Sequence, residues 1–214
     1  MLKFNVRYAA IALVGLSVGS AGLVGCQSKL ERDRDAALNA AEFFQQDLAK
    51  MPAQIDLVTK DLTAATAGDI TNRPALFAQY SKDLKVLNQE AQSLAAARDN
   101  AVAHSQDYFR EWLKSTRKFK TEAERTAAIA KYDAGASNFD TSKEYLRLGA
   151  ANFRALVDEF NNAETLLKAD LSEANVAKVR AGLGPVYGHA LEVKGYIERL
   201  EDQINAALVN NAKK

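Results

Sequence analysis

A chain of 214 residues has room for one domain of ordinary size or for a long helical rod, and 28 Lys and Arg against 27 Asp and Glu leave a net charge of only +1. That balance excludes a nucleic-acid binder of the usual kind, which carries a strong basic excess. With a single cysteine no disulfide can close within the chain, so its stability has to come from packing.

The first 25 residues differ from the rest. Lys3 and Arg7 give a basic start, and residues 8–25 then carry no charge. Such a run fits a signal peptide, a short transmembrane anchor or a buried helix. Its end separates them, because Leu23-Val24-Gly25-Cys26 resembles the bacterial lipobox: an aliphatic residue, a small residue and Gly ahead of the modified thiol. Small residues let the backbone enter a peptidase, and the only cysteine falls where the apolar run stops. On this reading residues 1–25 are a lipoprotein signal peptide and Cys26 is the lipidation site. It would carry a diacylglycerol and a further palmitate-type chain, with residues 26–29 as a short anchored linker. Cleavage removes Lys3 and Arg7 and no acid, leaving 26 basic against 27 acidic residues, or −1. Gln27 follows the cysteine where Asp would signal inner-membrane retention. The resemblance therefore implies the outer membrane, facing the periplasm, ahead of the inner membrane.

The remaining sequence predicts an all-α fold. It is rich in Ala, Leu, Lys, Glu and Gln, and its apolar residues repeat at 3 and 4 spacing in four segments. In segment A the stripe runs from Ala37 through Phe44, Met51, Ile55 and Leu62 to Ala65. It keeps phase across Pro52, which predicts one kinked helix over about 28–66. Pro74 suits the first turn of segment B, about 74–118. There the stripe runs from Phe77 through Tyr80, Leu87 and Ala101 to Trp112, broken only by Arg98 and Ser105. Segment C, about 122–170, opens on a capping box of Thr121 and Glu124. Its stripe includes Tyr132, Gly135, Phe139, Ser142, Gly149, Phe153 and Phe160. Ser172 suits a cap for segment D, about 173–210. That stripe runs unbroken from Val176 to Ala207, past Gly182, Gly184 and Pro185, which should weaken or bend the helix without ending it.

Such stripes predict left-handed supercoiling, and the short connections predict antiparallel neighbours. The expected architecture is an elongated antiparallel four-helix bundle or coiled coil over residues 30–211. Helices of about 40 residues would span about 60 Å. Folding B onto C about residue 120 pairs Leu87 with Phe153, Leu84 with Leu156, Ala91 with Gly149 and Ser105 with Gly135. Large residues then face small ones.

No segment carries recognisable catalytic chemistry. His104 and His189 each have an acid three residues on, Asp107 and Glu192. No Asp or Glu occupies a stripe position, so a metal site is not expected, nor is a cofactor. No phosphate-binding loop or nucleophile elbow is present, so an enzyme is not expected. Arg98 is the candidate buried polar residue that fixes register, opposite Ser142 with Asp140 and Glu144 in reach. The competing reading lets its guanidinium escape to solvent along its own stem.

The B–C turn holds Lys114, Arg117, Lys118 and Lys120 around Phe119, just after Trp112. It reads as a solvated basic loop or as a tip that contacts membrane or partner. Antiparallel pairing puts the start of segment A level with Trp112 and brings Lys213 and Lys214 to the same end. A lipobox, four long helices and the Phe109-x-x-Trp112 pair resemble bacterial coiled-coil lipoproteins classified as a domain of unknown function. That resemblance covers about 30–210 and implies an envelope protein, with no catalytic residues to transfer.

The expected role is a non-enzymatic envelope lipoprotein, a structural or partner-binding rod held to the membrane by acyl chains on Cys26. Its partner would be another envelope protein or further copies of itself. One alternative is a ligand- or stress-sensing bundle with a pocket at Gly135, Ser142 and Gly149. Another is a BAR-like membrane-shaping dimer, which would need basic residues spread along one long face.

Overall fold

The computed structural model describes residues 27–212. Among them are five α-helices and no strand: α1 (Gln27–Leu48), α2 (Met51–Ala67), α3 (Arg73–Thr116), α4 (Glu122–Ala169) and α5 (Glu173–Ala212). The all-α bundle expected from the stripes is the fold found. The segment expected to be a signal peptide, Cys26 and the lysines at 213 and 214 lie outside the described residues.

The stripes are the core. All of segment A's stripe, including Ala37, Phe44, Leu48, Met51, Ile55, Val58 and Leu62, is buried. So is segment D's from Val176 through Leu183 and Val193 to Ile204. Each fully buried Leu, Ile or Val removes enough apolar surface from water to stabilise by about 1.5–3 kcal/mol.

Segment A is two helices, not the single kinked one expected. Ala49 and Lys50 form a turn, and Pro52 sits in the first turn of α2. Pro52 has no N–H to offer Leu48, and its ring would meet that carbonyl, so the helix stops and restarts. The apolar phase survives because a two-residue turn leaves Leu48 and Met51 on the same side, both buried. At the far end the Gly68 N–H caps α2 through the Ala64 carbonyl, 2.9 Å away. Asp69 then accepts the N–H groups of Thr71 and Asn72 ahead of α3.

The capping box at α4 forms as expected. Glu124 accepts the Thr121 N–H at 3.2 Å, and the Thr121 hydroxyl accepts the Glu124 N–H at 3.3 Å. Ser172 precedes α5 and accepts the Val176 N–H through its carbonyl, while its own N–H goes to Asp170.

α5 continues through Pro185. Gly184 makes that tolerable: proline disfavours a helical conformation in a preceding residue that has a Cβ, and Gly184 has none. Gly182, Gly184 and Gly188 have nothing within 4 Å of where a Cβ would stand. They are not packing features. Glycine inside a helix costs about 0.5–1 kcal/mol relative to Ala. Gly188→Ala is therefore expected to stabilise by about that amount, read as a higher midpoint in thermal or urea unfolding. An unchanged or lower midpoint would show that this glycine serves something other than the helix.

The chain divides into two compact units. The first holds residues up to Gln46, Ala95–Arg147 and those from Leu200; the second holds Asp47–Leu94 and Leu148–Arg199. In the first, Lys29 of α1 meets Glu111 of α3 at 2.7 Å, the antiparallel level expected. In the second, Tyr80 donates its hydroxyl to the Phe160 carbonyl at 2.6 Å, a pair equidistant from residue 120 as the folding of B onto C requires.

Candidate functional site

The end of α3 in the first unit is built on aromatic packing. Tyr108 packs on Phe109 and Trp112 of α3, and those two face Tyr132 and Phe139 of α4, with Phe109 stacked on Phe139 at 5.1 Å and Trp112 edge-on to Tyr132 at 5.8 Å. Gly135 makes room for them. A Cβ there would lie 3.1 Å from both Phe109 Cε1 and Trp112 Cζ3. The expected Ser105–Gly135 pairing is thus displaced by one to two turns, because the large rings of Phe109 and Trp112 take the small-residue space.

This corrects the reading of the tip. Trp112 is only 4% exposed, so it anchors the core and is not available to a membrane or partner. Lys114, Arg117, Lys118 and Lys120 are exposed and Phe119 is half-buried. Beneath them Ser115 and Thr116 are buried, their hydroxyls turned back onto the Trp112 and Leu113 carbonyls. Glu111 gathers Lys29 at 2.7 Å and Lys114 at 3.3 Å, and the Lys29 hydrogen bond is the main cause that holds its carboxyl below the usual range. The start of α1 and the basic turn are therefore neighbours.

Arg98 does not act as the buried register residue. Its guanidinium donates to Asp99, the next residue, at 2.7 and 2.9 Å from the side of the helix. Asp140 is paired with Lys143 and Glu144 with Arg147. The three methylenes of its stem give reach enough to bring the charge to water, which costs less than desolvating it. Ser142 stays buried, and no hydrogen-bond partner reaches its hydroxyl among the described residues.

Side chains meet two of the three small residues at which a pocket was expected. Aromatic rings fill Gly135, and the Tyr196 ring of α5 fills Gly149 in the second unit, with Cζ 2.1 Å from where a Cβ would stand. An open apolar hollow of about 260 Å³ does occur in that unit, lined by Leu62, Ala163, Leu166, Val179, Leu183 and Val186. His189 is exposed and contacts Glu159 at 2.7 Å, not Glu192 of its own helix. Among the described residues no group of three or more His, Cys, Asp or Glu could hold a metal, and no helix is long and apolar enough to cross a membrane.

Two polar clusters of the second unit were not foreseen. Arg73 at the start of α3 is buried, its side chain 4% exposed, and donates to the carbonyls of Leu171 and Gly68 and to Glu173 at 3.0, 3.2 and 2.8 Å. Arg180 also reaches Glu173, at 3.2 Å, and gives its other N–H groups to the Thr66 carbonyl. Arg73 is the first cause that holds the Glu173 carboxyl low. The cluster ties helix ends together by satisfying carbonyls that would otherwise be orphaned.

The second cluster is acidic. Asp83 of α3 is 7% exposed and accepts from Gln79, while Gln54 of α2 donates to its backbone carbonyl at 2.9 Å. Asp61 of α2 feels its charge, and Asp61 Oδ2 is buried with no hydrogen-bond partner among the described residues. A carboxyl buried beside a second carboxylate is easier to keep protonated than to ionise. Burial first, and then Asp83, push the Asp61 carboxyl up to about 6, against a small opposing pull from Lys60. The nearby cations of α5 are committed elsewhere: Lys194 to Asp56 at 2.6 Å and Arg180 to Thr66 and Glu173.

Comparison with protein-family profiles, curated proteins and solved structures gave no match to this chain.

Proposed function

We propose that this chain is a lipid-anchored, non-enzymatic scaffold of the bacterial cell envelope. Acyl chains on Cys26 hold it to the periplasmic face of the outer membrane, and its helices present surfaces to an envelope partner or to further copies of itself. The observation that carries this reading is Leu23-Val24-Gly25-Cys26 at the end of an uncharged run that follows Lys3 and Arg7. A cysteine acylated there would be joined to α1 with no intervening linker, since the helix begins at Gln27. Further support comes from how the side chains are spent: the small residues that could have opened a ligand pocket are occupied by Trp112, Phe109 and Tyr196. That favours a packed scaffold over a sensing bundle.

The test is Cys26→Ser. The variant should accumulate as the uncleaved precursor and take up no labelled fatty acid, while the parent chain is both cleaved and labelled. A variant still processed and still labelled would refute the anchor.

A further inference from the structure

We propose that the turn between α3 and α4 is a docking surface for an anionic bilayer, oriented by the acyl anchor beside it; this rests on the lipid-anchor reading. Three observations carry it. Between Leu113 and Thr121 stand four cations and no acid. All four side chains are exposed. The Lys29–Glu111 contact at 2.7 Å places the first turn of α1 against the last turn of α3, and Cys26 precedes Lys29 by three residues, a reach of at most about 10 Å. Wherever the acyl chains enter a membrane, this turn is therefore held near the same surface.

The surroundings decide what the turn can recognise. Neighbouring acids are already committed: Glu111 to Lys29 and Lys114, Glu122 to Arg125, and Glu124 to Thr121. Among the described residues no carboxylate is paired with Arg117 or Lys120, so their charge is directed outward. With Trp112 sealed in the core, the surface offers point charges with only Phe119 half-buried among them. That chemistry suits a plane of phosphate headgroups more than an apolar peptide groove. The aromatic cluster beneath and the capping box at α4 hold the turn in a fixed shape, so the cations are presented together.

The experiment uses the full acylated protein reconstituted into vesicles of phosphatidylcholine alone or of phosphatidylcholine with phosphatidylglycerol. Amide hydrogen exchange over residues 117–121 should slow by roughly fivefold or more on the anionic vesicles. High salt should remove the effect, because exposed charges are screened. Replacing Lys114, Arg117, Lys118 and Lys120 together by Ser should abolish it with helicity retained. Equal exchange on both vesicles, with acylation verified by mass, would overturn the proposal and point instead to a protein or polysaccharide on this turn. If the protein carries no lipid, the anchor reading fails separately. Sedimentation of the unacylated chain with the same two vesicles then tests the turn: co-sedimentation with the anionic vesicles alone supports it, and none with either overturns it.

Discussion

Replacing Gly149 by Ala is expected to destabilise the chain by about 1–3 kcal/mol, the usual cost of forcing atoms into a filled site. A Cβ at 149 would lie 2.1 Å from Tyr196 Cζ, 2.2 Å from Cε1 and 2.4 Å from the hydroxyl oxygen. No real contact is that short, so the ring must leave. Tyr196 is half-buried, so it can swing outward, but then its packing on α4 is lost and part of the seam is wetted. For a chain of this size that corresponds to a fall of very roughly 3–10 °C in the thermal midpoint. The cause is checked by a double-mutant cycle. Gly149→Ala should cost much less in a Tyr196→Ala background, because the two residues act as one contact. Additive losses, or a neutral Gly149→Ala, would show that the ring does not occupy this space.

Asp61→Asn is expected to stabilise the chain near pH 7 and to flatten its pH dependence. The folded-state carboxyl is raised to about 6 from an ordinary 3.8. The folded chain thus binds this proton more tightly than the unfolded chain does. The resulting stability is fully present below about 4 and is lost as pH rises through about 6. At full burial such a difference is worth about 3 kcal/mol, and partial exposure of Asp61 reduces it to about 1–2 kcal/mol. Asn is neutral at every pH, so it removes the charge without needing the proton. Urea unfolding should show the parent more stable at pH 5 than at pH 7.5, and the variant equal at both. The carboxyls held low, among them Asp47, Glu111, Asp170 and Glu173, act in the opposite sense. Their contribution is present at higher pH and disappears only as pH falls below about 4.5, outside this window. A parent more stable at pH 7.5 than at pH 5, or a destabilised Asp61→Asn, would mean that burial and Asp83 do not hold Asp61 protonated.

These two sites mark where the sequence is legible and where it is not. Heptad spacing alone locates the buried seam, because a side chain's face on a helix follows from its number. The stripes of segment A, from Ala37 to Ala65, and of segment D, from Val176 to Ile204, are accordingly in the core. Local motifs also read well: Thr121 and Glu124 form their capping box within four residues. What spacing does not give is how far one helix slides past another. Phe109 and Trp112 settle on Gly135, one to two turns from the expected partner Ser105, because ring volume outweighs an even ladder of pairs. The same volume effect removes Trp112 from the surface. Arg98 shows a second limit, since a guanidinium can leave a seam that its Cα occupies. Asp61 and Asp83 flank their stripes, and neither carries a local signal that they meet. Arg73 had one weak clue, its place beside Pro74 at a helix start, where a cation is poorly placed for the dipole unless something else holds it.

The anchor is the centre of the functional account, and the mass of the N-terminal peptide tests it most directly. Protein isolated from membranes and digested should yield a first peptide that begins at Cys26 and carries the added mass of a diacylglycerol and a further acyl chain. A first peptide that begins at Met1, or one that contains Cys26 with an unmodified thiol, would contradict it.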